Sequence, residues 1–162
     1  MAEMSKAKCD HIVCAIRGRP ANRNAVERAI ELALEHRARL GFHLVIPEDF
    51  LEAATPLMSP ARTIFERLRE MGEYILAVLR DEAHRRGVRH VDVHVHIGDV
   101  REELLEIARQ SGAQVLVLGE PDPSHPRSIF TPNSFREFVR ELEQVGHLTV
   151  IAVPPESWIA VE

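Results

Sequence analysis

Residues 115–134 have the layout in which an α/β protein commonly holds a phosphate group. An apolar strand ends at Gly119, a loop with several prolines follows, and a helix begins near Pro132. Free N–H groups and the positive end of a helix dipole attract anions at such a turn. Proline donates no N–H, however, and a side chain in place of glycine keeps the backbone away from a phosphate. The sequence therefore predicts the location of a nucleotide site without its usual chemistry.

His94 and His96 are the most metal-like feature of the sequence. They are two apart on a predicted strand, so both imidazoles lie on one face, together with His90 and Asp92. A His-x-His pair can chelate zinc or another late transition metal. A stable site also needs a third ligand and supporting hydrogen bonds, and the neighbouring sequence identifies neither. We therefore expect solvated polar residues on an edge strand, which deter unwanted pairing, and no metal.

Nucleophilic and metal-dependent catalysis have little support. Cys14 lies in an apolar run, where a thiol usually serves packing. Ser124 and His125 adjoin each other in the loop, but no glycine-flanked nucleophile elbow surrounds them. No Walker-type lysine, HExxH or CxxC motif occurs in the sequence. We therefore expect no enzyme activity.

The composition is typical of one domain that stays inside the cell. The 162 residues suffice for one well-packed core but not comfortably for two. A formal net charge of -5 disfavours nucleic acid as a partner. Met1 to Lys8 lack an apolar signal core, and no apolar run reaches membrane-spanning length. Cys9 and Cys14 are too close on one extended segment to form a disulfide. We expect a cytoplasmic protein without membrane insertion.

Strand and helix patterns alternate five times along the chain. The predicted strands cover residues 11–16, 40–46, 91–97, 114–118 and 148–153. The predicted helices begin between Pro20 and Asn24, after Ser59-Pro60, after Asp99 and near Pro132. Repeated strand–helix units predict an α/β fold with a doubly wound five-stranded parallel sheet and helices on both faces.

The sequence also predicts the core face of the second helix and the bounds of the domain. The expected core residues of the helix are Ile64, Leu68, Met71, Ile75 and Leu79. The domain is expected to span residues 10–154. A flexible N-terminal tail would cover residues 1–9, and a C-terminal tail with Trp158 would cover residues 155–162.

The order of elements and three glycines resemble the universal stress protein family. Gly18 follows the first strand, Gly98 the third and Gly119 the fourth, and the similarity covers roughly residues 10–153. The resemblance implies a Rossmann-like fold of the adenine nucleotide alpha hydrolase-like type, with strand order 3-2-1-4-5.

The nucleotide motif of that family is degenerate here. Its ATP-binding branch has an Asp at the end of strand one. After strand four it has a glycine, two residues, a glycine, nine residues, and glycine followed by Ser or Thr. Gly119 matches the first glycine, but Asp122, Pro132 and Asn133 occupy the next three positions, and Arg17 occupies that of the Asp. The chain resembles the branch that lacks this motif, which implies weak or lost ATP binding. No cofactor is expected, and ATP or AMP stays a disfavoured alternative.

With this strand order, the ends of strands one and four border the crevice where open α/β sheets bind ligands. Arg17 and Arg19 could hold an anion there, or Arg17 could form an internal ion pair with Glu120 or Asp122. The candidate pocket residues are Arg17, Gly18, Arg19, Val45, Gly98, Gly119, Asp122, Arg127, Thr131, Asn133 and Ser134.

The resemblance implies a non-catalytic protein that acts by binding, in stress adaptation or in regulation of a partner protein. A nucleotide or anion sensor with a remodelled pocket is the first alternative. A hydrolase of the related nucleotide-hydrolase folds is the second, although the sequence identifies no general base or metal site for it.

The fifth strand is the expected homodimer contact. Its run from Leu148 to Val153 carries no charge, although exposed sheet edges usually carry charges or prolines. The resemblance implies dimerisation through this strand, with Leu148, Val150 and Ala152 as the edge residues. Trp158 could rest on the partner or pack back onto its own domain.

Overall fold

The computed structural model describes residues 9–17, 23–49, 61–121 and 130–155. Its strands are β1 (His11–Arg17), β2 (Arg39–Pro47), β3 (Val91–Gly98), β4 (Val115–Gly119) and β5 (Thr149–Val153). They form one parallel sheet in the order β3-β2-β1-β4-β5. The predicted doubly wound sheet and its strand order are confirmed.

Local sequence signals set the ends of the helices. The helices are α1 (Arg23–His36), α2 (Ala61–Arg85), α3 (Val100–Gln110) and α4 (Pro132–Gly146). At the start of α3, the Asp99 carboxylate accepts a hydrogen bond from the Glu102 N–H at 3.0 Å. Beyond the end of α2, Gly87 adopts a φ of 112°, which glycine tolerates without a steric cost.

Helices cover both faces of the sheet. On one face, Ile12 and Cys14 of β1 pack in a core that includes Ile30 of α1 and Leu76 of α2. On the other face, Val13 and Ala15 pack in a core formed with α3 and α4. Burial on both faces explains why β1 is a continuous apolar run.

β3 is the edge strand that its alternating pattern predicts. Val93 and Val95 are half-buried and pack against the core beside α2. The alternate residues Asp92, His94 and His96 are polar and point to the opposite face. One face of β3 is therefore apolar and the other carries the histidines.

The core face of α2 differs from the predicted one. Met71 and Ile75 are 61% and 41% exposed, whereas Leu76 is fully buried. The buried side of the helix includes Gly72, where an added Cβ would lie 3.0 Å from Val95 and 3.2 Å from Leu44. A hydrophobic pattern does not mark a glycine, so the prediction that Met71 and Ile75 face the core is wrong.

The outward face of α2 instead carries an apolar stripe. We define the α2 stripe as the exposed residues Met71, Tyr74, Ile75 and Val78. They recur at helical spacing and so line one side of the helix.

Several predicted features lie outside the described residues. Ser59, Pro60 and Trp158 are among them. From the two predicted tails the structure describes only Cys9 and Pro155, and both are buried.

The packing of α2 makes a prediction about stability. Leu76→Ala should lower the free energy of unfolding by roughly 2–5 kcal/mol, because it leaves a cavity against the sheet. Met71→Ala, its control on the same helix, should change it by no more than about 0.5 kcal/mol. Urea denaturation measures both values, and equal losses would contradict the observed core face.

Candidate functional site

The ends of β1 and β4 lie side by side at the topological switch point of the sheet. β1 has β2 on one side and β4 on the other, and the helices that follow β1 and β4, α1 and α4, pack on opposite faces of the sheet. Open α/β sheets bind ligands at such a point. Arg17 is the last residue of β1 and Gly119 is the last of β4. The Arg17 Nη2 donates a hydrogen bond of 2.9 Å to the Gly119 carbonyl oxygen. The guanidinium thus bridges the two strands where they end.

The start of α4 satisfies its own hydrogen-bonding groups. The Thr131 hydroxyl accepts a hydrogen bond from the Ser134 N–H at 3.1 Å, and the Ser134 hydroxyl accepts one from the Thr131 N–H at 2.9 Å. Pro132 has no N–H, and the Asn133 side-chain oxygen accepts a hydrogen bond of 2.6 Å from Arg136. A reciprocal capping box therefore occupies donors that an anion would otherwise use.

The structure separates the other candidate pocket residues. Val45 is the β2 neighbour of Arg17, but its side chain is fully buried in the core. Gly98 ends β3, two strands away from β1, where an added Cβ would lie 2.6 Å from the Glu103 Oε1. Gly18, Arg19, Asp122 and Arg127 lie outside the described residues. Their part in a pocket stays a prediction.

Three imidazoles and a carboxylate gather on one face of β2 and β3. We define the histidine cluster as His43, Asp92, His94 and His96. The ring of His43 stacks on those of His94 and His96, with centroid distances of 4.7 and 5.1 Å. The Nε2 of His94 lies 3.0 Å from the Asp92 Oδ2. His43 therefore lies beside His94 as a possible metal ligand that the sequence did not indicate.

Burial lowers the pKa values of His43 and His96. Desolvation first, and then the neighbouring His96 and His94, lowers the pKa of His43 to about 3. Desolvation, with His94 and Arg69 as further causes, also lowers the pKa of His96. His43 is consequently a neutral imidazole at neutral pH, with one nitrogen carrying a proton and the other a lone pair.

Sequence reasoning missed His43 because it lies in the apolar run of β2. It is 53 residues before His96, and only the β2–β3 register makes them neighbours. A polar residue in a strand that is otherwise buried is the signal that could have identified it.

The cysteines are buried and free. Both Cys9 and Cys14 lack a disulfide, as predicted. Burial raises the pKa of the Cys14 thiol to about 12. A thiol in this environment is protonated at neutral pH and is a poor nucleophile.

Two open grooves flank β5. One, of about 410 Å³, lies between α1 and the end of β5 and includes Asn24 and Val153 in its lining. The other, of about 300 Å³, lies between α4 and β5 and includes Val139 and Ala152.

The comparisons with known proteins identify the family. The family model for the universal stress proteins matches residues 8–140. The chain belongs to the universal stress protein family. No curated protein matches the sequence. Among the described residues, no helix is long and apolar enough to cross a membrane.

Solved structures of this family have the same fold. A universal stress protein from Burkholderia pseudomallei is 24% identical, with a TM-score of 0.65 over 91% of this chain and 98% of that one. The Archaeoglobus fulgidus protein in complex with dAMP is 15% identical, with a TM-score of 0.52 and coverage of 91% and 99%. An Arabidopsis thaliana family member with AMP bound is 13% identical, with a TM-score of 0.51 and coverage of 93% and 94%.

The contact between Arg17 and Gly119 makes a prediction for this universal stress protein. Arg17→Met should speed amide hydrogen exchange in residues 119–131 by about tenfold or more. The reason is that the Gly119 carbonyl loses its charge-assisted hydrogen bond from Arg17. Arg109→Met removes an exposed arginine of α3 and should leave this exchange unchanged. Equal protection of residues 119–131 in both variants would contradict a tethering role for Arg17.

Proposed function

We propose that this universal stress protein acts by binding a partner and not by catalysis, and that its ATP binding is weak or lost. The observation that carries the proposal is that the described polar groups at the end of β1 and at the start of α4 already make hydrogen bonds within the chain. The Arg17 guanidinium donates to the Gly119 carbonyl, and the start of α4 is capped by Thr131 and Ser134. A triphosphate at this place would compete with contacts that the protein already makes.

The sequence of the loop supports the same conclusion. The family's second and third glycines are replaced by Asp122 and Pro132. A carboxylate repels a triphosphate, and proline removes a backbone donor.

A nucleotide or anion sensor is the second candidate. It is favoured by the relatives solved with dAMP or AMP bound and by the arginine at the end of β1. Mass spectrometry of the purified protein under native conditions separates the two functions. An equimolar retained nucleotide would favour the sensor, and a protein without bound ligand would favour the partner-binding role.

The proposal predicts weak ATP binding in calorimetric titration. With ATP and magnesium, the dissociation constant should exceed roughly 10 µM, which corresponds to about 7 kcal/mol. The double variant Asp122→Gly, Pro132→Gly restores two motif glycines and should bind at least about tenfold more tightly. A wild-type dissociation constant below roughly 10 µM would refute weak ATP binding.

We further propose that the protein forms a homodimer through β5, which is the last strand of the sheet among the described residues. The Thr149 N–H and the Val153 carbonyl bond towards β4, so the N–H groups of Val150 and Ala152 point outwards. The Glu143 Oε2 accepts a hydrogen bond of 3.2 Å from the Val150 N–H, so this N–H already has a partner within the chain.

The side chains of the proposed edge residues face their own domain. Leu148 precedes β5 and is buried in the core, with 8% of its surface exposed. Val150 and Ala152 pack against the same core. The backbone, and not these side chains, would therefore make the dimer contact.

The dimer can be tested by removing one outward N–H. Ala152→Pro should convert the dimer to a monomer in sedimentation equilibrium at tens of micromolar, because proline blocks pairing at a free edge while leaving the β4 side intact. Tyr74→Lys, in the exposed α2 stripe, is the control and should leave the dimer unchanged. A monomeric wild type would refute the dimer, and dissociation by Tyr74→Lys alone would place the interface on α2.

A further inference from the structure

We propose that His43, Asp92 and His94 form a binding site for a divalent late transition metal ion of the zinc type. Each residue offers one ligand atom, and the three atoms lie within 4.8 Å of one another. Two imidazole nitrogens and a carboxylate oxygen form a donor set that zinc uses in proteins. The site lies away from the β1–β4 crevice and does not depend on the function proposed for it.

The β2–β3 register brings the three ligands together. His43 is the parallel partner of His94, and Gly41 is the partner of Asp92. The side chains of these positions point to the same face of the sheet. Because the ligands are fixed to two hydrogen-bonded strands, their spacing is set by the sheet and not by a loop.

Gly41 creates the space between two of the ligand atoms. A Cβ at this position would lie 3.2 Å from the Asp92 Oδ2 and 3.4 Å from the His43 Nε2. The two atoms therefore border the volume above a residue that has no side chain. Any larger residue would intrude on the place where both could reach one ion.

Contacts behind His43 leave its Nε2 free to bind a metal ion. The His96 Nδ1 lies 3.4 Å from the Glu103 Oε2, and the carboxylate favours a proton on that nitrogen. The His96 Nε2 then accepts the hydrogen bond that the His43 Nδ1 donates at 2.9 Å. This chain leaves the lone pair on the His43 Nε2, beside Asp92. Histidine ligands in metal sites are commonly held by such outer hydrogen bonds.

A metal ion would replace the proton that His94 and Asp92 share. Their ligand atoms are 3.0 Å apart, so the His94 Nε2 donates to the Asp92 Oδ2 when no metal is bound. On binding, the Nε2 releases its proton to solvent and its lone pair binds the ion, while the ring proton is held on the Nδ1. The side chains of His94 and Asp92 are 53% and 46% exposed, so the ion and water can reach them.

The donor set selects the class of metal. Calcium and magnesium prefer all-oxygen surroundings, whereas imidazole favours zinc, copper and nickel. Three protein ligands leave at least one coordination position for water.

Calorimetric titration of the full chain, free of any affinity tag, with zinc chloride tests the site. We expect one zinc ion per chain, with a dissociation constant below roughly 10 µM. His94→Ala and Asp92→Asn should each weaken binding by about tenfold or more. Both side chains are substantially exposed, so these variants should keep the fold, which circular dichroism checks.

His90→Ala is the matched control. This exposed histidine immediately precedes β3 and is not one of the three ligands, so its loss should leave the zinc affinity unchanged. Cobalt(II) absorption should report a site with low coordination number in the wild type, and that signal should disappear in His94→Ala. Absence of saturable zinc binding at roughly 100 µM, or equal affinity in wild type and His94→Ala, would overturn the proposal. A loss in His90→Ala as large as that in His94→Ala would also overturn it.

Discussion

Burial of β1 on both faces is the constraint on which the rest of the structure depends. Its residues from His11 to Ile16 are all buried, and its backbone pairs with β2 on one side and β4 on the other. Such a strand has no room for a functional side chain except at its ends. In the described part of the chain, the two candidate sites accordingly lie outside the buried body of β1, one at its end at Arg17 and the other on the partly exposed face near the β3 edge.

The two candidate sites differ in whether their polar groups are already bonded within the chain. At the end of β1, the guanidinium of Arg17 and the hydroxyls of Thr131 and Ser134 make contacts within the chain. In the histidine cluster, a part-buried hydrogen bond between the His43 Nδ1 and the His96 Nε2 leaves the other nitrogen of His43 towards Asp92. The first arrangement satisfies its polar groups internally, and the second positions one of them towards a neighbouring ligand atom.

The family resemblance implied the strand order, and local patterns in the sequence were sufficient to predict the sheet, the edge position of β3 and the start of α4. Each of these has a local signal: a continuous apolar run, strict alternation, or Pro132 at a helix start. The buried face of α2 and the position of His43 could not be predicted in this way. Gly72 carries no apolar side chain to mark the contact with Val95, and the pairing of β2 with β3 is a long-range relation that periodicity does not contain.

The burial of His43 makes the stability of the fold depend on pH. The pKa of this residue is about 3 in the folded protein, against an ordinary value of 6.5. Between these pH values the unfolded chain takes up a proton that the folded chain excludes. The stability that neutral His43 contributes is therefore complete above about pH 6.5 and is lost progressively as the pH falls towards 3. Acid thus destabilises the fold at β2, the strand next to the edge strand β3.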